Sequence, residues 1–226
     1  SQLSGCKILI TAGPTREPID PVRFMSNYSS GKMGYAIAIA AKAKGANVEL
    51  ISGPVTINSI PDIKTTYVET SSEMYELVKK KVPDYDMFIS TAAIADYKPA
   101  NYSDTKYKKN ANNINIEFTR GIDILETISK KHKNLFTVGF AAETNSLNDN
   151  AEEKLKKKNL DIIVGNIANH ELKLGFESDY NEVIILSNTN SKKLDRDKKS
   201  NIANSILDFI SEEYSKKLIL VKKNAK

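Results

Sequence analysis

The sequence predicts an α/β protein: a Rossmann-like, doubly wound, mostly parallel sheet with helices on both faces and a small strand and loop extension. Three observations carry this. Short β-rich apolar runs alternate along the chain with helix-patterned stretches. The first run, Ile8-Leu9-Ile10-Thr11, is apolar without alternation, as in a parallel strand buried on both faces. The run is then followed by a polar excursion ending in a glycine-led helix, the arrangement that places ligands at the carboxyl ends of strands.

The elements follow in order. Ala12 to Ser30 is the excursion, with three prolines, two arginines and a cluster of hydroxyl and amide residues. Tyr35 to Lys44, nearly all Ala and Ile, reads as a helix. Asn47 to Ser52 is a strand stopped by Gly53-Pro54, residues 55–63 form a link, and Lys64 to Val68 is a third strand. A helix opens at Ser71 and runs to about Lys81; Pro83-Asp84 stops it before the strand Asp86 to Thr91. Residues 98–113 show no period and read as a mobile loop. Asn115 to Phe118 is a short strand, Ile122 to Lys131 a helix and Phe136 to Phe140 a strand. Leu147 to Lys158 is a charged helix, Asp161 to Val164 and Glu182 to Leu186 are strands, and Lys199 to Ser215 is an amphipathic helix. The domain is expected to span 7–218, between a linker over 1–6 and a basic tail over 219–226.

Composition narrows the class. A chain of 226 residues with 40% hydrophobic and 27% charged residues is long enough for a full core and ordinary for a globular protein. The net charge of +5 comes from scattered lysines without a nucleic-acid signature, which favours anionic small molecules as partners over nucleic acid. The single cysteine, Cys6, excludes an internal disulfide; with no His beside it, it reads as a small buried or terminal side chain. No apolar run approaches the ~20 residues of a membrane span. With no signal peptide before Lys7, a cytoplasmic protein is expected.

The glycine-led helix start makes an anion site. Its first N–H groups lack intrahelical partners and its dipole is positive there. Gly31 and Gly34 let a ligand approach the backbone, and the Ser29 and Ser30 hydroxyls can cap the helix or donate to phosphate. The Walker A motif fails, since Met33 rather than Ser or Thr follows Lys32. The dinucleotide fingerprint also fails, because Gly31 and Gly34 come too late for a tight first turn. A helix cap without a ligand is the bland alternative; the cost of ordering so long a loop argues for a function.

Four segments should converge at the strand exits: Ala12 to Gly34, Ala92 to Tyr97, the loop over 98–113, and Gly139 to Thr144. Ala92-Ala93 and Ala141-Ala142 let planar groups come close. Phe140 is either core or a face for a base. Lys106, Lys108 and Lys109 either close over phosphate or are simply solvated.

The stretch TAGPTREPIDPVRFMSNYSSGKMGYAIA, followed by AAIADYKP and GFAAET, resembles the phosphopantothenate–cysteine ligase family of coenzyme A biosynthesis. In many bacteria that domain is the carboxy-terminal half of a flavoprotein whose other half is a decarboxylase. The likeness covers nearly the whole chain. It implies CTP-dependent, ATP-independent activation of the 4′-phosphopantothenate carboxylate as an acyl-cytidylate, then attack by L-cysteine. Such chemistry needs positioning and charge stabilisation more than a protein nucleophile. His132 and His170 accordingly read as surface or core residues.

The resemblance also implies roles. Asn27 and Lys106 would be catalytic, the first on the acyl group and the second on the flexible loop. Arg23, Asn27, Ala92 and Ala93 would bind phosphopantothenate. Nucleotide positions would be Gly13, Ser29, Ser30, Gly31, Lys32, Gly34, Ser90, Thr91, Ala92, Asp96, Lys106, Gly121, Ile122, Asp123, Ile124, Phe140, Lys154 and Lys158. Arg120-Gly121 stands where the family usually has Asn-Pro. Mg²⁺ would arrive with the triphosphate, with no protein ligand assigned. FMN would be needed only where the decarboxylase half is present. A homodimer is implied, with residues 98–120 contributing. The competing readings are a nicotinamide-dependent module, disfavoured by the missing fingerprint, and a non-catalytic nucleotide-binding module.

Overall fold

The computed structural model describes residues 3–108, 113–143, 147–167 and 178–224. β1 (Lys7–Ala12) leads into the excursion, which holds the two-residue strands β2 (Glu17–Pro18) and β3 (Phe24–Met25), paired antiparallel. α1 (Lys32–Ala43), β4 (Asn47–Ser52), β5 (Lys64–Tyr67) and α2 (Ser71–Lys81) follow. Next come β6 (Met87–Ser90), the ribbon of β7 (Tyr97–Pro99) and β8 (Phe118–Arg120), α3 (Ile124–Lys131) and β9 (Phe136–Glu143). α4 (Leu147–Lys157), β10 (Ile162–Ile167), β11 (Tyr180–Ser187), β12 (Ser191–Lys198) and α5 (Lys199–Asn224) complete the order.

The main sheet runs β12-β11-β10-β9-β6-β1-β4-β5. β1, β4, β5, β6, β9 and β10 are parallel, β11 pairs antiparallel with β10, and β12 pairs antiparallel with β11. The expected doubly wound, mostly parallel α/β sheet is thus present. Its continuous apolar strands follow from burial on both faces. Ile8 and Ile10 of β1 pack with Ile37, Ala41, Ile206 and Ile210 of α1 and α5. Leu9, pointing the other way, packs with Met74, Val78, Ile128 and Leu155 of α2, α3 and α4. From β1 the chain winds outward to β5, then returns to β6 on β1's other side. The exits of β1 and β6 therefore form the switch point.

Several boundaries differ from the sequence reading. The strand expected over Asn115 to Phe118 lies at Phe118–Arg120, because β7 sets the register through Tyr97 opposite Arg120 and Pro99 opposite Phe118. α3 starts at Ile124 rather than Ile122, since Asp123 accepts a 2.9 Å bond from the Glu126 N–H and so caps the helix. α2 is capped by Thr70, whose hydroxyl and the Glu73 carboxylate form a reciprocal capping box. β12 was not expected: its only apolar residue is Leu194, and it pairs with β11 as an exposed edge strand. α5 continues through the stretch read as a basic tail, to Asn224. Leu3 and Cys6, in the stretch read as a linker, are buried in the core. Burial, followed by the neighbouring Asp86, pushes the Cys6 thiol up to about 11. His170 and Lys109 lie outside the described residues. No helix among the described residues is long and apolar enough to cross a membrane.

Candidate active site

The excursion is ordered by buried polar groups rather than by an apolar pattern. Thr15, Glu17 and Asp20 are all buried. The Glu17 carboxylate accepts from the Ser71 N–H at 2.9 Å, capping the first turn of α2 from across the fold. Asp20 accepts from the Val22 and Arg23 N–H groups at 2.8 and 2.9 Å, from Arg23 Nε at 2.9 Å and from the Tyr107 N–H at 3.2 Å. Arg23 in turn donates through Nη2 to the Tyr107 carbonyl at 3.1 Å. The residue beside Lys106 is thereby tied to the excursion.

α1 starts from Gly31, whose left-handed φ of 78° suits glycine and whose Cα side lies against Gly13. The Ser29 and Ser30 hydroxyls accept long bonds, 3.3 Å from Gly31 N–H and 3.5 Å from Lys32 N–H. Gly34 permits a close approach of helix to strand: a Cβ there would lie 2.5 Å from Ala12 Cβ and press on the Thr91 hydroxyl. The helix start is thus drawn tight against the exits of β1 and β6.

Those exits are stitched together. Ala93 N–H donates to the Gly13 carbonyl at 2.9 Å, and Thr15 N–H donates back to Ala93 O at 3.3 Å. The Thr91 hydroxyl donates to the Thr11 carbonyl at 2.6 Å. Asn27 crosses this seam, donating from Nδ2 to Ala93 O at 2.7 Å and accepting at Oδ1 from Ser29 N–H at 3.0 Å. An amide NH₂ carries two hydrogens, so the bond to Ala93 leaves one to offer outward.

Above the seam lies a cleft of about 360 Å³. Asn27, the α1 start, Thr91 to Ala93, Phe140 and Lys154 line it, and its described lining sets Lys32, Lys154, Lys158 and Lys199 against the one carboxylate Asp96. Such a bias, beside a helix N-terminus, favours a polyanionic ligand. A smaller recess of about 150 Å³ adjoins it, lined by Ser90, Asp96, Gly121 to Ile124, Phe140 and Lys158. There Gly121 N–H donates to the Asp96 carbonyl at 2.7 Å, and Lys158 pairs with Asp123 at 2.7 Å. Phe140 and Asp96 border both spaces.

The structure brings together Asn27, Ser29, Gly31, Lys32, Gly34, Thr91, Ala92, Ala93, Asp96, Phe140, Lys154 and Lys158 around the larger space. Ser90, Gly121, Ile122, Asp123 and Ile124 join at the smaller one. Gly13 lies beneath Gly31, and Arg23 is held by Asp20 and Tyr107; neither these two nor Ser30 and Lys106 lines either space. Lys106 is exposed. Sequence reasoning missed Asn166, Asn181 and Lys199, which also line the cleft. Asn166 stands near the carboxyl end of β10, the kind of strand-exit position that pointed to Ala92 to Tyr97. Asn181 and Lys199 come from the antiparallel edge and the start of α5, where no strand-exit rule applies.

Fold and cleft define an α/β protein of the doubly wound kind, with a lysine-rich cleft and a helix start set at the switch point. The chain belongs to the DNA/pantothenate metabolism flavoprotein C-terminal domain family, whose pattern matches residues 3–214. It is 44% identical over 206 residues to the coenzyme A biosynthesis bifunctional protein CoaBC of Vibrio vulnificus strain CMCP6, covering 90% of this chain and 51% of that protein. It is 41% identical over 222 residues to the CoaBC protein of Escherichia coli K12, covering 96% and 54%. The chain spans about half the length of these curated relatives. A crystal structure of the C-terminal domain of a CoaBC protein matches with a TM-score of 0.81 at 38% identity, covering 95% of this chain and 98% of that one.

Proposed function

We propose that this chain joins 4′-phosphopantothenate to L-cysteine at the expense of CTP, yielding 4′-phosphopantothenoylcysteine, CMP and pyrophosphate. The observation that carries this reading is the meeting, in one cleft, of the α1 N-terminus, the Asn27 amide seated on Ala93, and a lysine-rich wall. Membership of the family supports it.

A carboxylate is a poor electrophile. Its attack on the α-phosphate of CTP forms an acyl–phosphate bond and releases pyrophosphate; the cysteine amine then forms the amide and releases CMP. The α1 start and Lys32 would receive phosphate, and Lys154 and Lys158 would neutralise charge as pyrophosphate departs. Phe140 and Asp96 would hold the nucleoside. Asn27 would offer its second amide hydrogen to the acyl oxygen, which gains negative charge as cysteine attacks. The small side chains of Ala92 and Ala93 would leave room there for close approach. Lys106, next to the Tyr107 anchor, would reach in from the ribbon side.

Asp96 is the carboxylate shared by both spaces, and no group of three or more acidic, His or Cys side chains suited to a metal ion occurs among the described residues. A Mg²⁺ ion would therefore be held chiefly by phosphate oxygens, supplying charge neutralisation there. FMN would be needed only where a decarboxylase half is present in the full-length protein. A homodimer formed through the β7–β8 ribbon is part of the same proposal; Tyr97, Phe118 and Ile122 are exposed there.

The test is a coupled assay with phosphopantothenate, cysteine and either CTP or ATP, reading pyrophosphate and product mass. CTP-dependent product is expected. Equal turnover with ATP would overturn the nucleotide choice, and CTP binding without pyrophosphate release would leave a non-catalytic module.

A further inference from the structure

Asn181, the second residue of β11, is 3% exposed and lines the cleft. From Asn181 to Ile185 burial alternates along the strand, and Val183 and Ile185 pack into the core with residues of α1 and α5. Asn181 thus puts an amide where the pattern asks for an apolar side chain. β11 runs antiparallel to β10, with Asn166 opposite Val183. Its start therefore lies at the carboxyl end of β10, where such sheets hold their ligands. The ladder to β12 shifts register between Asn181 and Val183, an irregularity of the kind that re-aims a side chain beside a site.

The amide is held in one orientation. Its Oδ1 accepts from the Glu182 N–H at 3.0 Å, which turns Nδ2 the other way. Among the described residues, Nδ2 meets one acceptor, the Met33 sulfur at 3.8 Å. A thioether is a weak acceptor, and an amide NH₂ carries two hydrogens. A buried donor so poorly matched costs stability, and its place in the cleft wall calls for a ligand. Met33 is the second residue of α1, where helix N–H groups also gather. A group lying between these two sets of donors is an acceptor, and a phosphate oxygen suits both.

We propose that Asn181 is a binding residue of this cleft, its Nδ2–H donating to a phosphate oxygen of a substrate beside the start of α1. This rests on the reading that the cleft takes phosphorylated substrates. The phosphate comes either from the nucleotide or from phosphopantothenate; the chemistry is shared.

The test uses the whole chain and two calorimetric titrations, one with CTP alone and one with phosphopantothenate alone. Asn181→Leu, similar in shape but without the donor, should weaken one of the two ligands by about tenfold or more, as loss of a charge-assisted contact implies. Its melting temperature should hold or rise, because a poorly matched polar group gives way to an apolar one. The arm that falls names the phosphate. A fall smaller than about tenfold in both arms overturns the proposal. So does a fall in both arms with a lowered melting temperature, the mark of a distorted cleft. If Asn181→Leu fails to fold by circular dichroism, Asn181→Ala decides by the same threshold in affinity. Wild type that binds both ligands yet releases no pyrophosphate would sink the ligase reading alone, leaving the phosphate contact to stand or fall on its own titrations. Wild type that binds neither ligand overturns both.

Discussion

Asp20 and Arg23 form a closed polar unit: Asp20 Oδ2 accepts from Arg23 Nε at 2.9 Å and from the Tyr107 N–H at 3.2 Å, while Arg23 Nη2 donates to the Tyr107 carbonyl at 3.1 Å. The excursion and the Lys106 segment are held by the same carboxylate. Burial pushes the Asp20 carboxyl up, but the bonds from Val22, Arg23 and Tyr107 outweigh it and hold it at about 2, below its usual 3.8. A depressed folded value means the stabilisation is present above the unfolded value and is lost as pH falls from about 4 toward 2. Asp20→Asn should flatten the acid limb of the stability curve in that window. Thermal melts from pH 2 to 6 check this; superimposable limbs would refute it.

Asn27→Asp would set a carboxylate oxygen against the Ala93 carbonyl that now receives Nδ2. The acyl oxygen would lose its donor, so amide formation should fall by about 10²–10³-fold, more than pyrophosphate release. Rapid-quench assays that follow CMP and pyrophosphate separately can test it. The assignment fails if pyrophosphate release vanishes while a supplied acyl-cytidylate is turned over normally.

Gly34→Ala places a methyl group against Ala12 and Thr91 where no space exists. A cost of about 1–3 kcal/mol in stability is expected, with weakened CTP binding because the start of α1 must shift. Urea titration and calorimetry measure the two effects. Wild-type behaviour in both would show that the contact relaxes freely.

Asp123 both caps α3 and pairs with Lys158. Asn caps as well as Asp, whereas Ala costs about 1 kcal/mol. Asp123→Asn should therefore leave stability nearly unchanged while altering CTP affinity through Lys158, and Asp123→Ala should lose both. Equal stability of the two variants would mean that the cap contributes nothing.

The parallel sheet was legible because strands such as Ile8 to Thr11 are buried on both faces and carry a continuous apolar run. The helix start was legible from Gly31 and Gly34 standing before an Ala- and Ile-rich run, and such a start presents unpaired N–H groups. What escaped was structure whose determinants are polar or non-local. β12 pairs only because β11 lies beside it, and its lysines and aspartates carry no strand pattern. β8 is exposed and β7 is at most half-buried, and at three residues each neither has an apolar alternation to read. Lys199 reaches the cleft through the turn at Asp179, a relationship spread across the fold rather than along the chain.

The Glu17 to Ser71 bond joins the excursion after β1 to the start of α2. In practical terms, this excursion is not a portable module. Transplanting residues 13–30 into a relative without bringing the matching start of α2 would strand the buried Glu17 carboxylate, which now meets the Ser71 N–H. Chimeras between relatives should then succeed or fail according to whether both pieces travel together.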